Sequence, residues 1–270
     1  MFSTSSHKRL NAELCQAVVG LVLFFSFVWS SQAGLKIYYI RHAEGGHNVV
    51  KQYKNVPKDQ WPDYVGNADA FTPKGKTQVA AATERLKKLK FDFIAVSPAW
   101  RTRHTVLPYL RAVGAKGEIW PELNEFGGAG DVLAKDLPNA KREKIIEAGK
   151  PVELPDEEKD VLRMRNGAQK HYELPQARDA RRNAAIRLVS EEVIELITKR
   201  FGGSNKSILL VGHGNSGRAL LKMLTKDNLD KTPSMTNTGI WMVEEQPDGA
   251  FELKIYNDAP CEARAAVAAQ

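Results

Sequence analysis

Leu35-Lys36-Ile37-Tyr38-Tyr39-Ile40 runs into Arg41-His42-Ala43-Glu44, and far downstream Ser207-Ile208-Leu209-Leu210-Val211 runs into Gly212-His213-Gly214-Asn215. Each is a short apolar run, rich in β-branched or aromatic residues and bounded by Gly or Ser. Each therefore reads as a strand with a histidine just past its end. As parallel neighbours, the two strands would carry both histidines to one sheet edge, beyond the carboxyl ends where open α/β sheets bind ligands.

The surrounding pattern agrees with such a sheet. Phe91 to Val96 is a third strand candidate; it ends at Ser97-Pro98, and Ala99 to Val113 then reads as a helix. Pro73 follows Thr72 at a favoured first-turn position, and Val79, Ala82, Leu86 and Leu89 recur at helical spacing. Arg182 to Phe201 is amphipathic, with Ile186, Val189, Val193, Ile194 and Ile197 on one face and Gly202-Gly203 as the stop. Near the end, Gly239 to Val243 and Phe251 to Tyr256 flank Gln246-Pro247-Asp248-Gly249, a turn between antiparallel strands. The fold class this predicts is α/β: a three-layer α/β/α sandwich with a mainly parallel, doubly wound sheet and an antiparallel edge. Two stretches break the alternation as insertions, residues 49–71 and 127–180, and are expected to be functional loops or decorated surface.

The chain has 270 residues, 43% hydrophobic and 26% charged, which suits a folded domain rather than disorder. Residues 1–33 are expected to be a signal peptide instead of part of that domain. His7, Lys8 and Arg9 precede an apolar run from Ala17 to Trp29, and Ser31-Gln32-Ala33 offers small residues for cleavage. The run falls short of the roughly 18 residues that a spanning helix needs. An exported chain, secreted or periplasmic, without a stable membrane span, is the expectation, with the domain occupying residues 34–270. Cys15 would leave with the signal, so Cys261, in an Ala-rich tail, would be the one cysteine of the mature chain, and one cysteine cannot make an internal disulfide. Asn205-Lys206-Ser207 fits a glycosylation acceptor if the host is eukaryotic.

A formal charge of +7 suits anionic ligands. Lys141-Arg142-Glu143-Lys144 and Arg163-Met164-Arg165 are interrupted by acids or apolar residues, and they read as solvated faces; no nucleic-acid partner is expected. Gly-x-Ser-x-Gly, Walker and His-Glu-x-x-His motifs are absent. Gly127-Gly128-Ala129-Gly130 lacks the strand and spacing of a dinucleotide loop.

The strand ends, in contrast, carry chemistry together. Arg41 and His42 follow the first strand, Arg101 starts the helix after another, and His213 ends a further one. Two guanidiniums can grip a tetrahedral oxyanion, and a helix N-terminus adds amides and a favourable dipole, so the ligand suggested is phosphate. A neutral imidazole can attack phosphorus, and the second histidine could steady charge on the transferring oxygens.

Arg41-His42-Ala43-Glu44 with Asn48, Ser97-Pro98-Ala99-Trp100-Arg101-Thr102, Leu123-Asn124-Glu125, Gly212 to Leu220, Asn237-Thr238-Gly239-Ile240 and Tyr256-Asn257-Asp258 follow one another in that order along the chain. Together they resemble the histidine phosphatase superfamily, in its phosphoglycerate mutase-like branch. It implies that His42 forms a phosphohistidine, while Arg41, Arg101, His213, Asn48 and the amide near Gly214 or Asn215 hold the phosphate. Glu125 matches the proton donor, with Glu122 and Asp131 as rivals nearby. No metal or other cofactor is implied, since arginines and histidine supply the positive charge. Ala43 stands where glycine is commonest, and the stretch after Asn48 is longer than in the mutases and lacks their Gly-Trp segment. A mutase must shield its phosphoenzyme from water, whereas a hydrolase needs only to admit it. The expected activity is therefore a phosphomonoesterase, a histidine acid/base phosphatase, acting on a small phosphate ester or phosphoprotein. A mutase-like phosphotransferase and a non-catalytic phosphate-binding module are the alternatives.

Overall fold

The two histidine-bearing runs form neighbouring parallel strands, β1 (Lys36–Arg41) and β5 (Ser207–Gly212), with Arg41 in register against Gly212. They belong to a computed structural model of the protein that describes residues 34–128, 130–165 and 169–261. The expected signal peptide, its cleavage near Ala33 and the Ala-rich tail lie outside the described residues.

Around this pair the sheet grows to eight strands. β2 (Phe93–Val96) pairs parallel with the free side of β5, followed outward by β3 (Gly117–Ile119) and β4 (Leu162–Met164). Beyond β1 the direction reverses through β6 (Ile240–Glu245), β7 (Phe251–Tyr256) and β8 (Ala259–Pro260), which is the expected antiparallel edge with its turn.

Strand side chains alternate between two cores. Ile37 and Tyr39 of β1 with Ile208 and Leu210 of β5 face α4 (Ala180–Phe201) and α5 (Gly214–Thr225), where Val193, Ile197, Leu220 and Leu224 meet them. Ile40, Leu209 and Val211 face the other way, onto Ala82 and Leu86 of α1 (Pro73–Leu86) and Val106 and Leu110 of α2 (Trp100–Val113). The result is the predicted three-layer sandwich. Truncating a fully buried member such as Leu210 to Ala should cost about 2–5 kcal/mol. The helix after β1 covers one face and the helix after β5 the other, so the crevice between their carboxyl ends is a topological switch point.

Local sequence explains the helix starts. The Thr72 hydroxyl accepts from Gly75 N ahead of Pro73, and the Asp179 carboxylate accepts from the amides of Arg181 and Arg182. Against expectation, β2 begins at Phe93 and α1 ends at Leu86; the intervening Asp92 instead caps β5, its carboxylate accepting from Ser207 N.

The insertions carry more order than their composition indicates. Residues 49–71 form short 3-10 turns stapled by a Tyr53–Tyr64 hydroxyl contact of 3.1 Å and by the Trp61 indole donating to Val56 O. Residues 127–180 contain α3 (Arg142–Glu147) and β4, and Phe126, Val132, Ile145 and Tyr172 form a satellite core against α4. The solvated-face reading of Arg163-Met164-Arg165 holds for Arg163, which is exposed, and is corrected for Met164 and Arg165, which are partly buried. Met164 packs beside the second core, and the two guanidiniums pair with the buried carboxylates of Glu118 and Glu122, which would otherwise be costly to bury. Cys261 is partly buried against the first core. Among the described residues no helix is long and apolar enough to cross a membrane.

Candidate active site

The ends of β1, β5 and β2 lie level: His42 N donates to Gly212 O and Ser97 N to Val211 O. This brings Arg41-His42, His213 and the Ser97–Arg101 turn to one crevice. Two further contacts fix the end of β1. Asn237 Nδ2 donates to His42 O at 3.0 Å, and Thr238, held at a left-handed φ of 56°, donates its amide to Arg41 O.

His42 is buried, and its Nδ1 lies 2.7 Å from the carbonyl oxygen of Ala43. A carbonyl only accepts, so Nδ1 holds the proton and Nε2 keeps its lone pair. Burial first, then Arg101, push the pKa of His42 well below 6.5, which keeps the ring neutral. The Ala43 amide in turn donates to Thr105 Oγ1, anchoring the turn on α2.

His213 is also fully buried, and both its nitrogens are occupied. Nη2 of Arg101 donates to Nδ1 at 3.1 Å, so the proton sits on Nε2 and points at Ser97 Oγ, 2.9 Å away. Burial and then Arg101 hold this ring neutral as well. Its ring centroid is 5.2 Å from that of His42.

Arg41, Arg101, Asn48, Glu125 and Gly214, all expected at the site, line a cleft of about 390 Å³ with His42, and His213 sits just beneath. Arg41 donates to Met235 O from Nη1, while the buried Nε atoms of Arg41 and Arg101 have no hydrogen-bond partner. Both guanidiniums thus keep donor capacity for an anion. Gly214 opens α5 where a Cβ would come within 3.2 Å of Arg41 Nε, so its lack of a side chain lets the guanidinium lie against the helix start. Asn48 closes a 3-10 turn, its Oδ1 accepting from Gly45 N.

The three candidate acids separate. Glu125 lines the cleft, with Oε1 accepting from the amides of Phe126 and Gly127 and Oε2 3.8 Å from His213 Nδ1. Glu122 is buried away from the cleft on Arg165, and burial raises its pKa. Asp131 caps a turn at Leu133 N and is not on the cleft.

Sequence reasoning missed four contributors. His47 lines the cleft with its ring 5.5 Å from that of His42; its signal was a scarce histidine directly before Asn48. Arg218 also lines it, with its guanidinium on the carbonyls of Thr232 and Leu229. Ser97 holds His213, and Tyr39 supports the same histidine from below; neither relation has a signature in one dimension. Among the described residues no group of three or more His, Cys, Asp or Glu side chains is arranged to hold a metal ion.

A family model described as the histidine phosphatase superfamily (branch 1) matches residues 37–259. No curated protein sequence matches the chain. Among solved structures, a protein described as mycobacterial hydrolase 1 is 18% identical with a TM-score of 0.51, covering 85% of this chain and 100% of that one. A phosphoserine phosphatase mutant from Entamoeba histolytica, bound to phosphoserine, is 18% identical with a TM-score of 0.51, covering 83% and 96%. A mycobacterial glucosyl-3-phosphoglycerate phosphatase is 19% identical with a TM-score of 0.50, covering 84% and 100%. At these identities the likeness is one of fold.

Proposed function

The chain belongs to the histidine phosphatase superfamily, branch 1, and on that footing we propose that it is an exported phosphomonoesterase working through a phosphohistidine on His42. The observation that carries this reading is the His42 Nδ1 bond to Ala43 O, which leaves Nε2 as a neutral nucleophile beside two guanidiniums with spare donors.

The steps follow from that geometry. Arg41, Arg101, Asn48 and the first amides of α5 hold the phosphoryl oxygens. The His42 Nε2 lone pair forms a bond to phosphorus as the bond from phosphorus to the ester oxygen breaks, and protonated Glu125 gives its proton to the departing alkoxide. Water then attacks the phosphohistidine, Glu125 takes a proton from it, and inorganic phosphate leaves with His42 restored. His213 acts through Arg101, its Nδ1 accepting from the guanidinium and so setting its angle to the phosphate.

Hydrolysis is favoured over mutase-like transfer because the Glu125 side chain is 26% exposed, within reach of water. A cleft of about 390 Å³ suits a small phosphate ester, the class that the phosphoserine and glucosyl-3-phosphoglycerate phosphatases of similar fold are named for. The charged start, apolar run and small residues of positions 1–33 support export; sequencing the N-terminus of the secreted protein should find it near Gly34.

The test is release of phosphate from a generic aryl phosphate by the purified chain. Turnover that vanishes in His42→Ala supports the reading, and undiminished turnover in that variant contradicts it. Transfer to an acceptor alcohol outpacing phosphate release would favour the phosphotransferase instead.

A further inference from the structure

Two imidazoles, His42 and His47, line the cleft and a third, His213, sits beneath it; the fold holds only His42 and His213 by hydrogen bonds. His42 donates from Nδ1 to a carbonyl, and His213 is engaged at both nitrogens. His47 has neither arrangement. Its Nδ1 is buried against Gly45 without a hydrogen-bond partner, packed so closely that a Cβ on Gly45 would come within 2.9 Å of it. A proton on that atom would be a buried donor with no acceptor, so the proton belongs on Nε2, the edge open to the cleft that the residue lines. The Gly46–Asn48 turn sets this ring beside His42 on the cleft wall, 5.5 Å between ring centroids.

We propose that His47 contacts the substrate directly, its Nε2–H donating a hydrogen bond to an oxygen of the phosphoryl group held in front of His42. This rests on the phosphate-ester reading of the cleft and extends it by one residue. His213, the other histidine beside the nucleophile, offers no free N–H to the cleft while Arg101 and Ser97 hold it, so His47 is the imidazole with a donor to spare. Burial, then Arg101 and Arg41, lower its pKa to about 4, so before an anion binds it is a neutral donor and adds no positive charge next to the two arginines. A dianionic phosphoryl group would favour its charged form and strengthen the bond as charge gathers on the oxygens.

The test uses inorganic phosphate as the probe, titrated calorimetrically into the wild-type chain, His47→Ala, His47→Gln and His47→Leu. A lost hydrogen bond to a charged group should weaken phosphate binding by about 10- to 100-fold in His47→Ala. Glutamine places an amide N–H near the position of Nε2 and should restore most of the affinity, which a merely space-filling role would not explain if leucine at the same position fails to. Phosphate affinity in His47→Ala indistinguishable from wild type would overturn the proposal, as would equal rescue by His47→Leu and His47→Gln, or no phosphate binding by the wild type. A wild type that binds phosphate in a His47-dependent way yet hydrolyses no ester would leave this contact standing and defeat the hydrolase reading alone.

Discussion

The hydroxyl of Tyr39 grips both backbone polar groups of His213, accepting from its N–H at 2.7 Å and lying 3.0 Å from its carbonyl oxygen as donor. The ring is stacked on Trp241, 5.0 Å between centroids, and fully buried, so one side chain of β1 sets the height at which His213 leaves β5.

Tyr39→Phe removes that grip and leaves a buried N–H and a buried C=O of His213 without this partner. The expected loss is about 1–3 kcal/mol of stability, read by urea unfolding, together with slower phosphate-ester hydrolysis as His213 and Arg101 lose their setting. An unfolding midpoint equal to wild type would show that water replaces the hydroxyl.

The acid assignment separates by leaving group. Glu125→Gln should slow hydrolysis of an alkyl phosphate by about 10²- to 10⁴-fold, and much less for a nitrophenyl phosphate whose leaving group needs no proton. Glu122→Gln touches the Arg165 pair behind the cleft and should lower stability while sparing that leaving-group dependence. The reverse pattern would transfer the role to Glu122.

Acid should destabilise the protein earlier than carboxylates alone would. His42, His47, His104, His171 and His213 all have pKa values lowered chiefly by burial. The unfolded chain takes up protons near 6.5 that the folded chain refuses, so this stability is present above about pH 6.5 and drains as the pH falls toward the depressed values. The fully buried His42 and His213 each contribute a slope of about 1.4 kcal/mol per pH unit in that window. Glu122 and Asp258, pushed up by burial, act in the opposite sense but are fewer. Urea midpoints measured at pH 7.5, 6.5 and 5.5 should fall little over the first step and steeply over the second; a flat series would mean that the histidines protonate within the folded state.

Much of this architecture was legible in the sequence, for a physical reason. β1, β2 and β5 are buried on both faces and read as continuous apolar runs, and α4 is long enough for its apolar stripe to repeat. β3 and β4 are three residues each, one containing Gly117 and Glu118 and the other Arg163, so neither has periodicity to detect. Glu118 is tolerated there only because Arg163 and Arg200 reach it from distant segments, a pairing that exists in three dimensions alone. The site divides in the same way. Arg41, His42, Arg101 and His213 stood out by position at strand ends, and Glu125 by its motif. Ser97, Tyr39 and His47 matter through which atom they face, and spacing along the chain does not encode that.

The most direct test is to find the phosphoryl group on the enzyme. Wild-type protein mixed with a phosphate ester, quenched in alkali within the first turnover and analysed by peptide mass spectrometry and phosphorus NMR, should carry one acid-labile, alkali-stable phosphoryl group on His42. It should be absent from His42→Ala. Rapid hydrolysis with no phosphoryl group on His42, or with the group on another residue such as His47, would contradict the assignment of His42 as the nucleophile.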